Sequence, residues 1–370
     1  MPPTSANGPA RRKSRGFARR MAPLGRIRPS SLVVVASGIT AIVVSYDDPE
    51  SARAATHALY EQSVAPDEVL VVDNHPTAGA GLDGTLGAGA RLLRPGRNTG
   101  FAEGVALAAE EAQGEWLLLL NPDAVPEPEC VERLLATATA TASDVVGAQV
   151  LMPDGATINA GDNPVHITGL AWSGGFGEPR EDGPPRAVAS VSGAALLVSR
   201  AAWRRTGGFQ PRFFMYHEDV DLCWRVRLTG GTVTYCPQAA VRHDYTFDKG
   251  AAKWFYLERN RWWTVLSNYS AQTLVLLAPV LLASELLIVL RAAREGWLAE
   301  KRRAYAELRR SRRELKAWRR SVQEARRCSD AEVLALMTGR FDTALVESGL
   351  ARAANPLMDR YRRVVAALSR

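Results

Sequence analysis

Between Thr40 and Leu120, short apolar runs that end in polar groups alternate with stretches of helical spacing. Thr40-Ala41-Ile42-Val43-Val44-Ser45-Tyr46 is a continuous, β-branched run closed by Asp47-Asp48-Pro49, which predicts a buried parallel strand, a turn and a helix to about Gln62. Val69 to Asn74 repeats the pattern, and Leu92-Leu93, a helix from Phe101 to about Ala112 and a strand over Trp116 to Leu120 complete a βαβαβ alternation. The predicted class is α/β: a mostly parallel open sheet with flanking helices.

The second half changes rhythm. Val145 to Met152, Pro153-Asp154-Gly155 and Thr157-Ile158 predict a hairpin, and the Gly-rich run from Gly161 to Pro185 a long loop. Ala189 to Val198 reads as a strand, Ser199 to Arg205 as a short helix, and Thr232 to Tyr235 and Ala240 to His243 as two short strands. Leu274 to Leu290 is apolar but interrupted by Pro279, Ser284 and Glu285, short of the ~20 clean residues of a membrane span. An interfacial or re-entrant helix is expected there. Leu298, Tyr305, Leu308, Leu315 and Val322 then form one stripe of a basic amphipathic helix, and further helices are expected around 331–337 and 358–368.

Charge sharpens this division. The net +7 is segregated: residues 1–38 hold eight Lys/Arg and no acid, residues 291–327 fourteen against five, and the remaining body is left at −10. Basic appendages on an acidic body suit an anionic membrane surface, and an acidic body is a poor nucleic-acid surface, so no nucleic-acid partner is expected. The first 38 residues mix Pro, Gly, Ser and Arg without period and are expected to be a disordered basic tail; Leu32 to Ala36 is too short for a signal-peptide core. Four dispersed cysteines without zinc spacing read as reduced thiols.

In an open α/β sheet, ligands sit beyond the carboxyl ends of the strands. Three predicted strands end in Asp47, Asp73-Asn74 and Asn121-Pro122-Asp123, so three carboxylates converge on one edge. Each alone is an ordinary turn residue; together they suggest a site. A second acidic group lies in Gly208 to Arg225, where Glu218, Asp219 and Asp221 follow Phe209, Phe213, Phe214 and Tyr216 at a loop-to-helix junction. An acidic first turn is also a common helix cap. A carboxylate against aromatic surface, however, is suited to general-base work tuned by burial.

Seven motifs occur in order: Val43-Val44-Ser45-Tyr46, Val71-Val72-Asp73-Asn74, Arg97 to Gly104, Leu119 to Asp123, Val191-Ser192-Gly193-Ala194, Gly207-Gly208-Phe209 and Phe213 to Cys223. Together they resemble the family 2 glycosyltransferases of GT-A fold, in the rhamnosyltransferase-like branch, over about residues 40 to 265. The resemblance implies an inverting transfer from a nucleotide-diphosphate sugar with Mg²⁺ or Mn²⁺. By position it implies nucleotide-sugar contacts from Ser45, Asp47, Asp73, Asn98, Gly100, Asn121 and Gly193. It further implies a metal site of Asp123 and His243, Asp219 as catalytic base with Glu218 orienting it or the acceptor, and acceptor stacking by Phe214 and Trp224. Asp47 stands where the branch often has Asn, and His75-Pro76, Gln210 and Val105-Ala106 also depart from its pattern.

The organisation expected is a tail (1–38), a GT-A domain (39–265), membrane-associating apolar and basic helices (266–327) and a helical segment (328–370). The expected activity is transfer of rhamnose, or otherwise mannose or galactofuranose, to a lipid-linked or cell-envelope glycan acceptor at the cytoplasmic face of the cell membrane, the protein being peripheral or having one apolar segment inserted. A nucleotidyltransferase would need a Gly-rich, basic signature after the first strand, and Ser45-Tyr46-Asp47-Asp48 has none. A non-catalytic membrane scaffold would have no use for both Asp123 and Asp219.

Overall fold

The strand-helix alternation folds as expected through the first four strands: β1 (Ile39–Ser45), α1 (Pro49–Tyr60), β2 (Glu68–Asp73), β3 (Ala90–Leu93), α2 (Gly100–Glu111) and β4 (Trp116–Leu120). The computed structural model describes residues 38–77, 81–84, 86–87, 89–244, 250–341 and 349–370; the tail expected over residues 1–38 lies, but for Gly38, outside them. β5 (Ala124–Pro126), α3 (Cys130–Thr141), β6 (Val145–Leu151), β7 (Ile158–Ala160), β8 (Asp162–Asn163), β9 (Arg186–Ala187), β10 (Ser190–Val191) and β11 (Ala195–Ser199) follow. The chain continues through α4 (Arg200–Thr206), α5 (Glu218–Leu228), β12 (Val233–His243), α6 (Ala252–Asn268), α7 (Ala271–Arg294), α8 (Leu298–Arg310), α9 (Arg312–Ala325), α10 (Asp330–Leu336) and α11 (Gly349–Leu368).

The sheet runs β3-β2-β1-β4-β11-β6-β12-β5. β3, β2, β1 and β4 are parallel, β11 is antiparallel to both β4 and β6, β6 and β12 are parallel, and β5 closes the edge antiparallel to β12. The central strands are sandwiched, so their alternate residues feed two cores. Ala41 and Val43 of β1 pack in one cluster with Ala52 and Leu59 of α1, and Ile42 and Val44 in the other with Ala102 and Val105 of α2.

Four expectations need correction. α3 was unanticipated, although Val131, Leu134 and Ala138 give it a buried stripe at helical spacing. The strand expected over Ala189 to Val198 is broken at Ser192-Gly193-Ala194 into β10, which pairs with β8, and β11. The two short strands before His243 are one strand, β12, with a register shift between Cys236 and Ala240, around Pro237, which has no N–H for the ladder. The basic amphipathic helix is two helices broken at Ser311, and its stripe does not face out. Leu308 and Leu315 pack on the core cluster of β11 and α4, and Val322 is buried with Val220 and Trp224 of α5. The apolar stripe of α8 and α9 is thus consumed by the protein's own core.

Candidate active site

Two registers assemble the edge of the sheet. β1 and β2 pair so that Ser45 lies opposite Asp73, and the Asn74 N–H donates to the Ser45 carbonyl at 2.9 Å. Asp73 is buried; its carboxylate accepts from the His75 N–H at 3.1 Å and from Arg94 Nε at 3.2 Å. Ser45 is buried as well, its hydroxyl on the Asp48 carbonyl, whereas Asp47 is exposed with φ +57°. Tyr46 is 52% exposed with the His75 ring 6.3 Å away, an aromatic edge beside Asp73 that the sequence alone did not single out.

Asn98 makes the turn into α2, its Oδ1 accepting from the Gly100 N–H at 2.9 Å. Gly100 has φ +71°, and a Cβ there would lie 2.4 Å from the Phe214 carbonyl oxygen, so only glycine fits. The buried Asn74 holds this turn from below, donating to the Gly100 carbonyl at 2.8 Å and accepting from the Thr99 hydroxyl at 2.6 Å. The Ala102 N–H donates to the Phe214 carbonyl at 3.1 Å, fastening the turn to the segment that precedes α5.

That segment is strained. Phe214, Tyr216 and His217 all have positive φ, at 63°, 69° and 72°, and the Met215 N–H donates back to the Phe213 carbonyl at 2.7 Å across Phe214 in a γ-turn. What holds it is α6. Asn260, fully buried, aims its amide nitrogen at three carbonyls, those of Phe213, Met215 and Tyr216 at 3.1, 3.0 and 2.7 Å. The Arg259 guanidinium reaches the Arg212 and Phe213 carbonyls beside it. Replacing Asn260 by Ala strips a buried donor from three carbonyls and is expected to cost about 1–3 kcal/mol in denaturant unfolding. Turnover should fall about tenfold further than the lost folded fraction explains, because the strained loop relaxes under Glu218 and Asp219.

At the start of α5, Asp219 is half-buried; it accepts from the Gly193 N–H at 2.8 Å and the Val220 N–H at 2.7 Å. Burial raises its pKa, and the two N–H groups oppose the rise. Glu218 is buried beside it, its pKa raised by burial and then by the Asp219 charge, and its Oε2 has no hydrogen-bond partner among the described residues. Burial, reinforced by Arg261, pushes the His217 imidazole down to about 3, so it is neutral. Asp221 is wholly buried, bound by Arg225 Nε at 2.8 Å and Asn268 Nδ2 at 3.1 Å, and anchors α5.

Gly193 links this carboxylate to the end of β4. β11 pairs Ala195 with Leu120, and the Asn121 N–H donates to the Ala194 carbonyl at 2.9 Å. On the other side, β12 pairs with β5 so that His243 lies opposite Ala124, and His243 Nε2 comes to 3.0 Å from Asp123 Oδ1 and 3.3 Å from Asn121 Nδ2. One carboxylate and one imidazole therefore converge. That donor set fits Mg²⁺ or Mn²⁺, which complete their shells with water and phosphate oxygens. Among the described residues no three His, Cys, Asp or Glu side chains gather into a metal-sized cluster, so an ion at Asp123 and His243 would depend on a ligand for its remaining contacts.

The acceptor residues expected from the resemblance fare differently. Phe214 is half-buried, packed on Gly100 and stacked on Tyr256 with centroids 5.2 Å apart. Trp224 is 2% exposed, edge-on to Tyr269 in the core between α5 and α6, and offers no face to a sugar. Both sides of α5 are covered, one by the sheet and one by α6.

Residues 40–205 match the family model described as Glycosyl transferase family 2. An N-acetylglucosaminyl-diphospho-decaprenol L-rhamnosyltransferase of Mycobacterium tuberculosis is 31% identical over 216 residues, which cover 50% of this chain and 69% of that protein. The low-salt glycan biosynthesis hexosyltransferase Agl10 of Haloferax volcanii is 22% identical, over 57% of this chain and 68% of its own. Among solved structures, the crystal structure of GalNAc-T7 with UDP, GalNAc and Mn²⁺ superposes with a TM-score of 0.51 at 13% identity. It covers 62% of this chain, which spans about half (48%) of that one.

Proposed function

The chain belongs to glycosyl transferase family 2, with a GT-A-type α/β fold and a rhamnosyltransferase relative, and from that premise we propose that it is an inverting, metal-dependent glycosyltransferase that moves a sugar, rhamnose first, from a nucleotide diphosphate to a lipid-linked glycan. One observation carries the reading. Asp219, in the first turn of α5, and the Asp123–His243 pair, at the ends of β4 and β12, are joined through Gly193, Ala194 and Asn121 by hydrogen bonds of 2.8–3.3 Å. A base and a diphosphate site held on one backbone connection are what an in-line displacement at an anomeric carbon requires.

In this reading the β1–β2 end takes the nucleotide, with Asp73 toward the base or ribose, and Ser45, Asp47, Asn98, Gly100 and Asn121 shaping the donor pocket around it. Asp123 and His243 hold Mg²⁺ or Mn²⁺, which supplies charge to the departing diphosphate. Asp219 takes the proton of the acceptor hydroxyl. Its Oδ2 is fixed by Gly193 and its Oδ1 by Val220, so the carboxylate is oriented before the acceptor arrives. Glu218 stays protonated beside it and orients the acceptor or Asp219. The decaprenol-linked substrate in the relative's name supports a lipid-linked acceptor, and with it a place at the cytoplasmic face of the cell membrane, peripheral or with one apolar segment inserted.

Purified protein is given a panel of nucleotide sugars carrying rhamnose, mannose or galactofuranose, with Mn²⁺, Mg²⁺ or chelator. The expected result is metal-dependent turnover of one donor, with product of inverted anomeric configuration by NMR. Retention of configuration, or equal turnover in chelator, rejects the mechanism; preference for another sugar rejects rhamnose alone.

A further inference from the structure

α7 is long enough to cross a bilayer: 24 residues at 1.5 Å each give about 36 Å against ~30 Å of hydrocarbon. A stretch of 18 residues within it is apolar enough as well. Its side contacts point elsewhere. Thr273, Leu277, Leu281 and Ala292 are buried on one stripe, and the same stripe carries Glu285 at mid-helix. Glu285 is ion-paired to Arg261 of α6 at 2.6 Å and to Lys301 of α8, and accepts from the Tyr305 hydroxyl. Arg261 and Lys301 are themselves buried and shared with Glu258. Crossing a membrane would strip Glu285 from two buried cations, which is costly on both sides.

The opposite stripe is apolar and open. Val275, Leu282, Leu286 and Leu290 are 73%, 71%, 60% and 58% exposed, with no charged residue on that stripe until Arg294. α11 adds a second open row. Leu357, Val364 and Leu368 are 71%, 50% and 54% exposed, and the exposed Arg360 and Arg363 lie in and beside that row. The rows adjoin. Gln272, one turn before Val275 on the same stripe, donates to the Leu368 carbonyl at 2.8 Å, the Thr273 hydroxyl donates to that of Ser369 at 2.9 Å, and the Tyr361 hydroxyl meets the Leu276 carbonyl. A contiguous apolar surface of this kind marks an interaction site, and arginines along its margin match lipid phosphates by extending their heads past the apolar contact.

We propose that α7 and α11 together form an in-plane membrane platform, with α7 lying along an anionic leaflet rather than spanning it. The purpose of the platform rests on the lipid-linked acceptor proposed above, but vesicle binding is measured without donor or acceptor, so either idea can fail alone. Full-length protein is sedimented with phosphatidylglycerol-containing and with pure phosphatidylcholine vesicles, beside the double variants Leu282→Asp/Leu286→Asp and Val364→Asp/Leu368→Asp. Basic residues 1–37 are common to all three. Wild type is expected to bind the anionic vesicles at least tenfold more tightly, and each double variant to lose at least tenfold of that binding. Single cysteines at exposed Ala271 and Ala293, in a background lacking the native thiols, should both react with an impermeant thiol reagent outside sealed vesicles. Reaction at one end only means α7 spans and overturns the proposal. So does wild-type binding by the α11 variant, or a dimer that either variant dissociates while vesicle binding is absent.

Discussion

Asp219→Asn is expected to lower kcat about 10³-fold, within the ~10²–10⁴ that a positioned general base contributes, with the donor KM changed less than threefold. The amide keeps the shape and can still accept from the Gly193 or Val220 N–H, so the circular dichroism spectrum and the melting temperature should stay close to wild type. Proton uptake is removed, together with one of the two N–H bonds, since the amide has a single acceptor oxygen. The pH profile separates Asp219 from its neighbour. A base works ionised, so activity rises with pH through the pKa of Asp219, and burial places that limb above the range of an exposed carboxylate. Glu218, raised by burial and by the Asp219 charge, keeps its proton while Asp219 loses its own, so the pair titrates in two steps. Glu218→Gln mimics the protonated acid. It should leave the ascending limb in place and retain kcat within about tenfold. If Glu218→Gln abolishes turnover and Asp219→Asn does not, the two roles are reversed.

The strand-end chemistry was legible because parallel strands buried on both faces are unbroken apolar runs, so the polar residue that stops each one marks the sheet edge. Asp73, Asn121 and Asp123 are found that way. His243 is not: it reaches Asp123 because β5 turns back antiparallel beside β12, a pairing across 120 residues with no local signal. Asn260 is hidden for the same reason. It lies on α6, which the sequence reading did not single out, yet holds three carbonyls 44 to 47 residues earlier. Trp224 and the stripe of α8 and α9 were misread in the opposite direction. Amphipathic spacing says that a face is buried but not against what, and here α6 and the sheet supply the cover. The open apolar surface is instead on α7 and α11, where no single helix reveals that two rows adjoin.

The second large effect is expected at the other end of the hydrogen-bonded connection. Asp123→Ala should reduce turnover about 10²–10³-fold, comparable with the loss of other electrostatic stabilisers of developing charge. It should also weaken binding of Mn²⁺, measured by electron paramagnetic resonance with nucleoside diphosphate present, by a factor of ten or more. Without the carboxylate, His243 and Asn121 remain, and neither side chain supplies the negative charge that offsets a divalent ion. His243→Ala keeps the carboxylate and should weaken Mn²⁺ less, in line with the ~10–100-fold typical when a supporting partner is lost. The order of the two variants is the informative part. β12 brings His243 to the rim of the sheet, whereas Asp123 stands in the turn directly after β4, whose Asn121 is tied by Ala194 and Gly193 to the Asp219 carboxylate. A displaced ion at Asp123 would therefore misplace the diphosphate relative to Asp219 as well as leave it unneutralised, and raising the Mn²⁺ concentration should restore His243→Ala but not Asp123→Ala. Equal Mn²⁺ affinity in Asp123→Ala and wild type would move the metal, and the donor diphosphate with it, away from this corner.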